Sequence, residues 1–109
     1  MKIVLESAGG ERALLVLCDE SEGHRIVAEA SVDREQAELF TEALRNTERL
    51  CEAAVNFVLR TNSGVVLGDA SAEGNFIRDA YIQKNGVRSL IAAPILRNQA
   101  IMGVIYLEN

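Results

Sequence analysis

Catalysis needs a nucleophile, a base or a metal ligand set in suitable company, and this chain offers few of each. Its only histidine is His24, followed at once by Arg25. No serine or cysteine stands at a spacing that proposes a Ser-His-Asp or Cys-His arrangement. His24 stands at the start of a predicted strand and reads as a surface turn residue. The two cysteines, Cys18 and Cys51, form no CxxC and have no histidine beside them. A disulfide framework or a zinc site needs more ligands than that. Both lie in apolar surroundings and read as small buried hydrophobes, reduced as in a cytoplasmic protein. Three carboxylates, Asp69, Glu73 and Asp79, gather along one irregular segment. Two readings are open for them: ligands for a cation or polar molecule, or solvated turn and cap residues, the second being favoured. The 8 glycines are scattered and build no phosphate-cradling loop with a lysine. Turn and cap roles suffice, except that Gly103 falls inside an apolar run, where it permits close backbone approach.

The elements that would position these groups follow from the apolar pattern. "MKIVLES" before Gly9-Gly10 reads as the tail of a helix. "RALLVLCD" (12–19) carries six consecutive apolar residues, as a central strand buried on both faces does. "ESEG" is a turn, and "HRIVAEASV" (24–32) the second strand of a hairpin. "TERLCEAAVNFVLR" (47–60) predicts a helix capped by Thr47, with Leu50, Cys51, Ala54, Val55 and Val58 on one face. "VVL" between Gly64 and Gly68 is a short strand. The stretch 69–86 is a long connection with short helical pieces, in which Asp79 caps "AYIQK" and Asn85-Gly86 stops it. The chain closes on a hairpin, "SLIAAPIL" and "AIMGVIYLE", turning at 97–99. Pro94, which has no N–H to give a ladder, belongs at a bulge or beside an absent neighbour. "REQAELFTEALRN" (34–46) is the ambiguous piece, since its Glu, Gln, Ala and Leu favour helix. The fold class is α+β, a largely antiparallel sheet with helices on its faces.

Composition narrows the function classes. The 109 residues suit one domain, and 49% hydrophobic residues supply a core of mostly aliphatic side chains. Net charge is −5, and the whole acidic excess falls in residues 1–64, where 12 acids meet 7 bases. An acidic chain without a basic cluster argues against nucleic acid or anionic membrane as a partner. No apolar run approaches the roughly 18–20 residues of a membrane span. The first residues carry too short an apolar stretch for a signal peptide.

Several segments resemble the GAF domain, a sensory module of signalling proteins. "VNFVLRTNSGVVLGDAS" resembles the family's helix, turn, short strand and Asp-Ala element. "FIRDAYIQKNGVRSLIAAPIL" resembles its irregular segment and the strand after it, and "AIMGVIYLEN" its closing strand. "KIVLESAGGERALLVL" is similar to the end of its first helix and its first strand. The likeness covers nearly the whole chain, and it is greatest to GAF modules of large multi-domain bacterial sensor histidine kinases.

The resemblance implies a GAF/PAS-like sheet of five to six strands and makes the segment 37–43 extended rather than helical. It implies no catalytic residue, no metal and no cofactor. The thiols do not fall where methionine sulfoxide reduction would need them, and the segment 69–88, where a bilin would attach, holds no cysteine. The pattern of cyclic-nucleotide-binding relatives is absent. The remaining expectation is a cleft between sheet and irregular segment, walled by Leu67, Asp69, Asn75, Phe76, Tyr81, Ile82, Leu90 and Ala92. A composition of aromatic walls and few polar points suits a small molecule, and it equally suits residues that merely plug the sheet face. The implied partners are an unidentified small molecule, a kinase output domain in the same chain and a second copy in a homodimer. The alternative is a ligand-free dimerisation or docking module, with Met1–Leu5 contributing apolar surface. The family pattern also marks the chain as an excised fragment that lacks most of a first helix and the helix after Asn109.

Overall fold

The computed structural model describes residues 12–19, 21–33 and 36–109; the expected helix tail before Gly9-Gly10 lies outside them. Six strands form one antiparallel sheet in the order β3-β2-β1-β6-β5-β4. They are β1 (Arg12–Leu17), β2 (Arg25–Ser31), β3 (Glu38–Ala43), β4 (Val65–Leu67), β5 (Leu90–Arg97) and β6 (Ala100–Glu108). Two hairpins, β1-β2 and β5-β6, meet where β1 pairs with β6, Arg12 standing opposite Glu108 and Leu17 opposite Gly103. The first and last strands are therefore the centre of the sheet.

Alternation along the strands gives one face to the main core. Leu14, Val16, Ile26, Leu90, Ala92, Val104 and Tyr106 are buried there against Leu50, Ala54, Val55 and Val58. Ala13, Ala30 and Leu107 form a smaller cluster elsewhere in the sheet. The expected burial of the first strand on both faces holds only in part. Ala13 is buried, Leu15 is half-buried and Leu17 is 46% exposed. The apolar run reflects the strand's central place rather than complete enclosure.

The ambiguous segment is extended, against its helical propensity. β3 pairs with β2 from Glu38 opposite Glu29 to Ala43 opposite Arg25, and cross-strand pairing overrides local preference. Helix α1 spans Glu52–Thr61, so the expected start after Thr47 is corrected by several residues. Thr47 is occupied elsewhere: its hydroxyl donates to Glu42 Oε2 at 2.9 Å and accepts from the Arg49 N–H at 3.1 Å. The N-cap is Cys51, whose side chain makes no cap bond. Its N–H donates instead to the Tyr106 hydroxyl at 3.1 Å. Contacts to β3 and β6 thus hold residues 47–51 out of the helix.

The second helix, α2 (Ala80–Asn85), has the expected ends. Asp79 Oδ1 accepts from the N–H groups of Tyr81 and Ile82 at 2.9 and 3.3 Å, and Gly86 closes the helix at φ +59°. The last hairpin turns through Asn98 and Gln99, at φ +51° and +67°. Two successive left-handed residues match a type I′ turn, whose twist suits the flanking strands. Pro94 sits beyond the reach of β4, which pairs only with Leu90–Ala92, so β5 has lost that neighbour where the N–H is missing. A Cβ on Gly103 would lie 2.3 Å from the Val16 carbonyl oxygen, so β1 and β6 approach more closely there than a side chain allows.

Candidate functional site

The expected wall residues divide into two groups. Ile82, Leu90 and Ala92 are fully buried in one cluster with Val65, Ala70 and Val87, and Leu67, Phe76 and Tyr81 pack against it. Phe76 meets the Phe57 ring edge-on at 6.3 Å and 83°. Six of the eight therefore belong to the main core or pack against it. Asp69 and Asn75 remain exposed. Asp69 Oδ1 accepts from the Ser71 N–H and hydroxyl at 3.1 and 2.6 Å. Glu73 Oε1 accepts from the N–H groups of Gly68 and Asp69 at 2.8 and 3.1 Å. Two of the three clustered carboxylates are thus engaged in turns and Asp79 in its cap. Among the described residues, no group of three or more His, Cys, Asp or Glu side chains is placed to hold a metal. Burial pushes the Cys51 thiol up to about 12, which leaves no thiolate there at neutral pH.

The most polar buried feature was not read from the sequence. Glu108, at the end of β6, is 7% exposed. Its Oε1 lies 2.5 Å from the Tyr81 hydroxyl of α2 and 3.1 Å from Arg12 Nη1 of β1. Arg12 Nη1 also donates to the Tyr81 oxygen at 2.8 Å. Arg12 grips Glu29 of β2 with both Nε and Nη2, at 3.3 and 3.0 Å, and Nη2 also donates to the Arg49 carbonyl at 2.9 Å. Arg49 in turn donates to Glu29 Oε1 at 3.3 Å and Glu42 Oε1 at 2.7 Å, with its guanidinium 4.2 Å over the Phe40 ring. Tyr81 has one proton and two acceptors within reach, Glu108 and the Arg49 carbonyl at 3.0 Å. The shorter distance assigns it to Glu108, where the bond is charge-assisted.

Electrostatics follow from this packing. Burial raises the Glu108 carboxyl above its ordinary range; the Tyr81 hydroxyl and Arg12 pull it down without offsetting burial. Burial likewise raises the Tyr81 phenol, and the neighbouring Glu108 raises it further. For Arg12, burial favours the neutral form, but Glu29, Tyr81 and Glu108 together outweigh it and the guanidinium stays charged. The available signal was that Arg12 precedes the run "ALLVLC" and Glu108 follows "GVIYL": antiparallel pairing of these two strands sets those ends side by side.

The architecture and the sequence can now be set beside known proteins. The family model for the GAF domain matches residues 1–109. The chain belongs to the GAF family. Among solved structures, it superposes on the Aquifex aeolicus nlh2 GAF domain with a TM-score of 0.61 and 18% identity, over 99% of this chain and 62% of that one. The GAF region of a Geobacter sulfurreducens PCA putative membrane protein gives a TM-score of 0.66 at 16% identity, over 98% and 68%. At these identities the likeness is one of fold. A curated relative, hybrid signal transduction histidine kinase G of Dictyostelium discoideum, is 29% identical over 63 residues. That match takes in 58% of this chain and 2% of the relative's length.

As a GAF domain, the chain is a regulatory module. Tyr81 belongs both to the apolar cluster and to the charged network. It joins the segment over the sheet to the end of the last strand. No helix among the described residues is long and apolar enough to cross a membrane.

Proposed function

We propose that this GAF domain is a non-catalytic sensor that biases a histidine-kinase output carried on the same chain, in the cytoplasm. Its input is a small molecule or an altered contact at the 68–89 connection, over a wall of Leu67, Phe76, Tyr81, Ile82, Leu90 and Ala92, with Asp69 and Asn75 exposed at its rim. The observation that carries this reading is the Tyr81–Glu108 bond at 2.5 Å. It ties α2 to the last residues of β6, so a displacement of α2 costs a buried carboxylate one of its partners. The curated relative is named as a histidine kinase, which supports the choice of output. A ligand shifts such an equilibrium only by its differential affinity for the two arrangements. Native mass spectrometry of freshly purified protein tests the reading. A retained small molecule that also protects 68–89 from hydrogen exchange is expected. No saturable binding across a broad metabolite library sinks the small-molecule part.

A second reading, a docking module that pairs without a ligand, is favoured by exposed apolar side chains. Leu39 is 81% and Val66 76% exposed, and Leu17, Leu96 and Met102 are each 46–50% exposed. Such surface suits a homodimer contact. Sedimentation separates the two: a dimer whose dissociation is indifferent to every metabolite supports docking alone.

A further inference from the structure

A cavity of about 310 Å³ opens beside Tyr81, between the 47–51 connection and α2, and it is lined by Thr47, Glu48, Ala80, Tyr81, Lys84 and Asn85. Its size is at the lower end of small-molecule sites. Two of its lining residues carry opposite charges, Glu48 of the 47–51 connection and Lys84 of α2. The Glu48 carboxylate and the Lys84 ammonium have no hydrogen-bond or ion-pair partner among the described residues, and they do not pair with each other within 4.0 Å. Between them the wall is apolar or already satisfied. Ala80 and the Tyr81 side chain supply carbon surface, the Asn85 amide donates to the Tyr81 carbonyl at 3.0 Å, and the Thr47 hydroxyl donates to Glu42.

We propose that this cavity binds a small zwitterion of the α-amino-acid class, its carboxylate on Lys84 and its ammonium on Glu48. A simple anion would meet Glu48, and a simple cation would meet Lys84, each at a cost in repulsion. A molecule with both charges satisfies both walls at once and lays its side chain on Tyr81. The site deepens the sensory reading and rests on it for its consequence: a ligand pressed on Tyr81 bears on the hydroxyl that holds Glu108. It differs from the apolar wall around Ile82, Leu90 and Ala92, which is filled by packing.

The test is calorimetric titration of the 109-residue chain with a panel of free L-α-amino acids, each to 10 mM. For the tightest binder, the matched N-acetyl amino acid and amino-acid amide each lack one charge. At least one free amino acid is expected to saturate. Its affinity is expected to fall about tenfold or more in Lys84→Ala and in Glu48→Gln, and in both blocked analogues. Both residues are exposed, so the variants fold. Absence of binding across the panel overturns the proposal, as does binding that neither substitution weakens. If a different metabolite then binds and protects 68–89 from exchange regardless of Lys84 and Glu48, the sensory reading stands while this site falls.

Discussion

Replacing Tyr81 by Phe removes one oxygen atom and leaves the ring in place. That oxygen accepts from Arg12 Nη1 at 2.8 Å and donates to Glu108 Oε1 at 2.5 Å. Glu108 then keeps Arg12 and the Tyr106 hydroxyl as partners while remaining 7% exposed. A hydrogen bond to a charged group is worth about 1.5–3 kcal/mol, and the half-buried position of Tyr81 favours the lower part of that range. Glu108→Gln removes the charge and keeps the shape, at an expected cost of about 1–2 kcal/mol because Arg12 loses a buried counter-ion. If the two groups act on each other, the double variant loses less than the sum, by about 1 kcal/mol or more. For a domain of this size each kcal/mol corresponds to about 4 °C in Tm. Urea unfolding at pH 7, followed by far-UV circular dichroism, measures all four corners of the cycle. Hydrogen exchange across Ala80–Asn85 gives an independent readout, with faster exchange expected in both single variants. Additivity within about 0.3 kcal/mol, with unchanged exchange in α2, would refute the claim that the bond couples α2 to β6.

Gly103→Ala places a methyl group 2.3 Å from the Val16 carbonyl oxygen, backbone that cannot step aside, and is expected to cost about 3 kcal/mol or more in urea unfolding. Asp79→Ala removes the cap that accepts from Tyr81 and Ile82; a loss of about 1 kcal/mol and faster exchange confined to α2 are expected. The Glu42 carboxyl is held below its ordinary range by the Arg49 hydrogen bond, so the unfolded chain binds the proton more readily than the folded one. Its contribution is therefore present above the ordinary carboxylate range and is lost as pH falls through the depressed folded value. Because the side chain is 38% exposed, screening limits it to about 0.5 kcal/mol; Glu42→Gln is expected to flatten the acid limb of a stability-against-pH curve by that amount.

What the sequence made legible follows the strength of local signals. Asp79 and Gly86 were readable because a cap and a left-handed stop depend on residues within one turn of the chain. The closing hairpin was readable because its two apolar runs are long and its turn is short. Thr47 misled because its hydroxyl had a competitor five residues earlier: Glu42 of β3 accepts from it, and Cys51 is left as the N-cap. The 37–43 segment needed the family resemblance for a similar reason, since only β2 alongside it makes extension the better state. The partial burial of the first strand was not legible, because a run such as "ALLVLC" records a central position and not how far each face is covered.

The candidate site was legible in the same uneven way. Leu67, Phe76, Tyr81, Ile82, Leu90 and Ala92 all join the main core, because apolar residues flanking one connection have little choice but to pack beneath it. Asp69 does not turn inward, since Ser71 satisfies its carboxylate locally. Nothing in local spacing announces that Arg12 and Glu108 meet, because 96 positions separate them. Yet their meeting matters more for relay than the apolar wall does. Apolar packing is non-directional, and a side chain sliding within it loses contact gradually. The Tyr81 contacts to Arg12 and Glu108 are directional and part-buried, so a displacement of α2 costs the Glu108 carboxylate its Tyr81 donor while the Arg12 contact between β1 and β6 stays. On the proposed sensory reading, the directional bonds of Tyr81 respond to a movement of α2 more sharply than the apolar packing that holds its ring.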